Sequence, residues 1–220
     1  MVAILGVTLT TAGGAAAAAG DIVTFADPTG NVSEPEEITT GPDGNLWFTS
    51  FANARIGRIT PAGDITTFAD PAGTVDRPDG ITDGPDGNLW FVSGGNSRLG
   101  RITPAGDTTT FGDPAGTVAL PFDITAGPDG NLWFTSGGNA RIGRITPAGV
   151  ITTFADPAGD VAGPRGITAG PDDRVWFAST FSDRIGRIDV FDPPPPPSPT
   201  APGASSGPAQ PVTGAPRFTG

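Results

Sequence analysis

Four tryptophans, Trp47, Trp90, Trp133 and Trp176, stand 43 residues apart, and each sits inside the same string of neighbours. GPDGNLWF begins at Gly41, Gly84 and Gly127 and returns as GPDDRVWF from Gly170. Downstream come RIGRITPAG from Arg55, RLGRITPAG from Arg98, RIGRITPAG from Arg141 and a shortened RIGRIDVF from Arg184. A unit of this length, repeated end to end, is one supersecondary element that buries its apolar faces only against its neighbours. The length suits one four-stranded propeller blade.

The second unit shows how the residues supply four strands. Residues 81–83 form a short inner strand that ends in the turn Gly84-Pro85-Asp86-Gly87, where Pro presets φ and Gly accepts the left-handed conformation. Residues 88–93 (NLWFVS) are apolar on both faces, as a strand sandwiched between neighbouring blades must be. Residues 98–103 give a third strand, Pro104-Ala105-Gly106 a turn, and residues 107–111 the outer strand. Gly100, in mid-strand, is expected to lie under the ring of Trp90 or Phe91. The strict period of the tryptophans assigns them to the core. The predicted fold is therefore all-β, a β-propeller of four 43-residue four-stranded blades over residues 21–191. The fourth unit lacks an outer strand, because Asp189-Val190-Phe191 runs into a proline tract. Residues 21–25 supply a spare one ahead of the first inner strand, and they are predicted to close the last blade and the ring. A closed ring is a monomer; an open arc leaves a head-to-tail homodimer open.

Composition removes several chemistries. There is no Cys and no His, Lys or Tyr, so thiolate and imidazole metal ligands, a Schiff-base amine and the usual general base are all absent. A formal net charge of −11 argues against nucleic acid or an anionic membrane surface as partner. Residues 1–20 hold an apolar run and an Ala-rich stretch, which reads as a signal-peptide-like lead without the basic n-region, or as a disordered lead. Residues 192–220 are Pro-rich and read as a disordered tail. Within the tail, Gln210-Pro211-Val212-Thr213-Gly214 partly matches a cell-wall sorting signal. These features predict a secreted or cell-wall-associated bacterial protein with no membrane span.

The unit IT-x-GPDGNLWFT…N-x-RIGRITPAG-x-IT-x-F resembles the repeat of the virginiamycin B lyase family, the streptogramin lyases, over residues 21 to about 191. The resemblance implies a seven-bladed propeller that opens a cyclic depsipeptide antibiotic by magnesium-assisted elimination. It also implies a catalytic His just before the Gly-Ile-Thr stretch and a Glu three residues past the Trp. The His position is occupied here by Glu36, Asp79, Phe122 and Arg165, and the Glu position by Ser50, Ser93, Ser136 and Ser179. No unit keeps either residue.

The loops between units and between second and third strands share one face of a propeller. That face collects Glu34, Glu36, Glu37, Asp70, Asp76, Asp79, Asp113, Asp123, Asp156 and Asp160. Glu36 and Asp79 are the candidates for a carboxylate base, and Glu36, Glu37, Asp79 and Asp123 the candidates for holding Mg²⁺ or Ca²⁺ through oxygen alone. The competing reading is that Asp in D-P-x-G is an ordinary turn former. Three functions follow. The first is a non-catalytic extracellular binding or scaffold propeller that takes a small molecule, peptide or cell-surface protein at the channel mouth. The second is a diverged lyase-like enzyme that uses carboxylates and a divalent metal. The third is a partial propeller completed by another chain.

Overall fold

The computed structural model describes residues 19–191. The proline-rich tail and nearly all of the Ala-rich lead lie outside the described residues. Chain contacts divide the molecule after Val190, and the fold is that of the segment before it.

Four antiparallel meanders follow one another. The first blade runs β1 (Pro35–Thr40), β2 (Leu46–Ser50), β3 (Arg55–Ile59) and β4 (Ile65–Ala69). The second runs β5 (Pro78–Asp83), β6 (Leu89–Ser93), β7 (Arg98–Ile102) and β8 (Thr108–Gly112). The third is β9 (Pro121–Ala126), β10 (Leu132–Ser136), β11 (Arg141–Ile145) and β12 (Ile151–Ala155). The fourth has three strands among the described residues, β13 (Pro164–Ala169), β14 (Arg174–Ser179) and β15 (Arg184–Asp189). The inner strands β1, β5, β9 and β13 lie side by side in chain order, so their N-terminal ends gather around one axis. No described helix is long and apolar enough to cross a membrane.

The turn after each inner strand closes on a left-handed residue. Gly87 has φ of 73°, and in the fourth blade, where the repeat reads GPDDRVWF, Asp173 takes the same conformation at φ 56°. The mid-strand glycine is explained by register. Gly100 pairs with Phe91, and the Phe91 ring lies where a Cβ would stand.

Trp47, Trp90 and Trp133 are core, at 0%, 0% and 1% exposure. Each indole stacks on the phenylalanine of its own outer strand, Phe68, Phe111 or Phe154, with centroids 5.3, 5.3 and 5.5 Å apart. Each indole N–H donates to the turn aspartate four residues earlier, at 3.0 Å for Trp90 and Asp86. The apolar layer between the first two blades is built from Trp47, Ile56, Val75, Ile81, Leu89, Phe91 and Ile102. Full burial of each such side chain is worth about 1.5–3 kcal/mol.

The ring closure predicted from sequence is not formed. Residues 21–25 are not in a strand, and Ile22 is 91% exposed. On the outer face of blade one Ile38 is 57% exposed, whereas its counterparts Ile81 and Ile124 are at 2% and 3%. On the far face of blade four Ile185 is 71% exposed, against 2% for Ile56 and 0% for Leu99. The unit is an open arc. Among the described residues β15 pairs only with β14, and residues 21–25 lie instead against the first blade, where the Phe25 ring sits over Gly63.

Candidate functional site

Each inner strand opens with Pro, two variable residues and Ile: Pro35-Glu36-Glu37-Ile38, Pro78-Asp79-Gly80-Ile81, Pro121-Phe122-Asp123-Ile124 and Pro164-Arg165-Gly166-Ile167. Pairing with the second strand skips at these two residues in every blade. A bulge of this kind re-aims side chains that a regular ladder would send to the blade faces. Glu36, Glu37, Asp79, Phe122, Asp123, Arg165 and Gly166 consequently line one open pocket of about 390 Å³. All four sequence-predicted metal or catalytic candidates are in it.

The pocket is held from behind by hydroxyls of the second strands and by backbone amides of the next blade. Glu37 N–H donates to Thr49 Oγ1 at 3.2 Å, and Glu37 Oε2 accepts from Ile81 N–H at 3.1 Å. Asp123 repeats the arrangement two blades on, with its N–H donating to Thr135 Oγ1 and its Oδ2 accepting from Ile167 N–H at 2.8 Å. The Arg165 guanidinium lies 4.3 Å from the centroid of the Phe122 ring, a cation–π contact at the rim.

Burial and mutual repulsion raise the proton affinity of these carboxyls. Loss of water around Glu37, then the nearby charges of Asp123 and Asp79, push it up to about 7, even though the Ile81 amide favours its charged form. Asp79 rises to about 6 through burial, then Glu36 and Asp123, with Arg165 opposing. Asp123 is also raised by burial, while two backbone N–H groups pull the other way. Such groups exchange protons near neutral pH and attract cations when ionised.

The remaining acids of the predicted face do not join this pocket. Asp70, Asp113 and Asp156 sit in the D-P-x-G loops and accept bonds from backbone amides two to five residues on. Asp70, for example, accepts from Ala72 and Val75 N–H at 3.0 and 3.2 Å. Each is lowered from its ordinary value. For Asp70 burial is the largest influence and raises it, but the Thr74 hydroxyl and the backbone amides together outweigh that effect. These are turn residues. Asp160 pairs instead with Arg184 at the blade edge.

The four serines are buried and fully engaged. Ser93 Oγ accepts from Asp76 N–H at 2.8 Å and lies 3.0 Å from the Asp76 carbonyl and 2.8 Å from Asn96 Oδ1. Asn96 in turn donates to Thr74 O, so the pair pins the inter-blade loop to the end of the second strand. Ser50 with Asn53 and Ser136 with Asn139 repeat this network, and Ser179 with Ser182 replaces the amide by a hydroxyl. Sequence reasoning read these positions only as substitutions; the S-x-x-N spacing, three times repeated, carried the structural signal.

The family model described as the virginiamycin B lyase family matches residues 5–192. The chain belongs to the virginiamycin B lyase family. Among solved structures it is similar to a catalytically inactive virginiamycin B lyase from Staphylococcus aureus with quinupristin. That match has 40% identity and a TM-score of 0.67, covering 74% of this chain and 57% of that one. A streptogramin B lyase structure matches with 32% identity and a TM-score of 0.64, covering 77% and 58% of the two chains. The chain thus spans a little over half the length of these lyases. A gluconolactonase from Xanthomonas campestris at 18% identity and a TM-score of 0.60, covering 74% of this chain and 60% of that one, shares the fold. No curated protein matches the sequence.

The position at which the resemblance implies a His is the first of the two bulged residues, and its four occupants, Glu36, Asp79, Phe122 and Arg165, converge on the pocket. The position at which the resemblance implies a Glu is held by Ser50, Ser93, Ser136 and Ser179, a buried loop anchor in all four blades. The magnesium ion implied by the family finds no matching ligand set: among the described residues no three His, Cys, Asp or Glu side chains group closely enough to hold a metal.

Proposed function

We propose that this family member is a binding propeller that holds a cationic group of a small molecule or peptide in the axial pocket. Extracellular placement, expected from the lead segment, is part of the same proposal. The observation that carries it is the pocket lining itself. Glu37, Asp79 and Asp123 converge from three blades as half-buried carboxyls whose mutual repulsion an entering cation relieves. Phe122 gives the same ligand an apolar wall, and the rim Arg165 disfavours a second positive charge. The anchoring of Ser50, Ser93, Ser136 and Ser179 to the backbone supports a role without the family's elimination chemistry.

Titration calorimetry with a short arginine peptide amide tests the reading. Binding is expected at pH 8, weakened at least tenfold at pH 5, and abolished by the double change Glu37→Gln, Asp79→Asn. Equal binding at both pH values by wild type would refute it.

A second reading rests on Glu37 at about 7, a proton affinity suited to a general base. In that case ring opening of a type B streptogramin, followed by mass spectrometry, proceeds above the buffer control and stops in Glu37→Gln. The binding reading expects no turnover.

A further inference from the structure

The two ends of the arc carry the halves of an interface that the chain builds three times within itself. Between internal blades the far face of one blade, at Ile56, Leu99 or Ile142, is buried against its successor, and the near face at Ile81, Ile124 or Ile167 is buried against its predecessor. The ends present the same positions uncovered: Ile185 on the far face of blade four, and Ile38 with Leu46 on the near face of blade one. The repeat makes the two faces complementary, because each is one half of an inter-blade contact the sequence already encodes.

Two further features point the same way. Residues 22–26 (IVTFA) lie one 43-residue period before β4 (ITTFA) and so carry an outer-strand sequence. Phe25 already sits over Gly63 of the first blade as Phe68 sits over Gly106 of the second and Phe111 over Gly149 of the third. An outer strand spans two blades in this way: its Phe covers the turn glycine of the next blade and stacks on the Trp of its own. Phe25 makes the first contact, while among the described residues no Trp of this arc stacks on it. Trp176, half-buried, has no stacked Phe among the described residues, and β15 is unpaired along its outer edge there.

The charges also fit. Arg58 and Arg101 each donate across the blade boundary to a proline carbonyl of the next blade, Pro104 at 3.2 Å and Pro147 at 3.3 Å. Their counterpart Arg187 lies at the end of the arc with a side chain 53% exposed, and the matching carbonyl one period before Pro104 is that of Pro61, in the first blade.

We propose that a second copy of this chain docks head to tail on the arc. Its residues 22–26 add as the fourth strand beside β15, its Phe25 stacks on Trp176, and its Ile38 face covers Ile185. The same contact repeats at the other end, so two copies close an eight-bladed ring with twofold symmetry. Eight blades lie within the range propellers adopt, and a head-to-tail contact that closes at two leaves no face for further growth.

Light scattering on the full 220-residue chain tests this. Wild type is expected at about twice the 22.0 kDa of one chain over the micromolar range. Ile38→Arg and Ile185→Arg, both at exposed positions that a lone arc tolerates, are each expected to halve the mass while retaining the wild-type far-ultraviolet spectrum. Mixing the two variants is expected to restore a dimer, because one intact head then meets one intact tail. Phe25→Ala is expected to raise the dissociation constant at least tenfold. A wild-type chain that stays monomeric, an Ile38→Arg chain that remains fully dimeric alone, or open-ended polymers would each overturn the proposal.

Discussion

Glu37→Gln isolates the electrostatics of the axial pocket. Glu37 faces Asp79 and Asp123 across the pocket, with Glu36 and Arg165 in the same lining, and its carboxyl titrates at about 7 instead of near 4.5. The folded state therefore takes up a proton that the unfolded chain lacks between about pH 4.5 and pH 7. Stability must fall as pH rises through that window and stay low above it. Unscreened, the difference corresponds to about 3.4 kcal/mol; water at this half-buried site reduces it to about 1–2 kcal/mol. Glutamine keeps an oxygen to accept from Ile81 N–H but carries no charge at any pH. The variant should match wild type near pH 4 and exceed it at pH 8, by about 2–8 °C in melting temperature for a folded unit of this size. Melting curves recorded from pH 4 to 9 provide the check. If the two proteins melt in parallel across the whole range, Glu37 is not destabilised by its neighbours and the cation-binding argument loses its basis.

Trp90→Ala removes a side chain with no exposure, its stack on Phe111 and its bond to Asp86, and should cost about 3–5 kcal/mol in denaturant titration. The half-buried Trp176 should cost clearly less in a monomeric background such as Ile185→Arg. Ser93→Ala leaves the Asp76 amide without its buried partner and should cost about 1–3 kcal/mol. Hydrogen exchange at the Asp76 amide is expected to speed up with it, and an unchanged rate would show that the serine is not a loop anchor.

Family membership, the number of units, the strands of the second blade and the burial of its tryptophan could all be read from the chain. The 43-residue period and the turn chemistry of GPDG act locally, and a core that repeats leaves little choice of partner for each strand. Gly100 could be placed to within one residue of its aromatic partner, because only register separates Trp90 from Phe91, and register shows itself only once β6 and β7 are paired. Of the ten acids of the predicted face, the four chosen as candidates from sequence, Glu36, Glu37, Asp79 and Asp123, do line the pocket, while Asp70, Asp113 and Asp156 fold back onto their own loops as D-P-x-G turn formers. A bulge in the strand pairing makes that division, and bulges arise between strands.

The sequence by itself determined the blade, because everything that defines one, the Pro and Gly of its turns, the apolar second strand and the glycine under an aromatic ring, lies within 43 residues. Only the tertiary structure decided how the blades meet. Whether four of them close depends on the angle between neighbours, which is set by the packed volume of side chains such as Trp47, Ile56, Ile81 and Phe91 from two blades at once. The packing of neighbouring blades leaves Ile38 and Ile185 uncovered, places Phe25 over Gly63, and brings four bulges together into one pocket. No count of strands along the chain contains it.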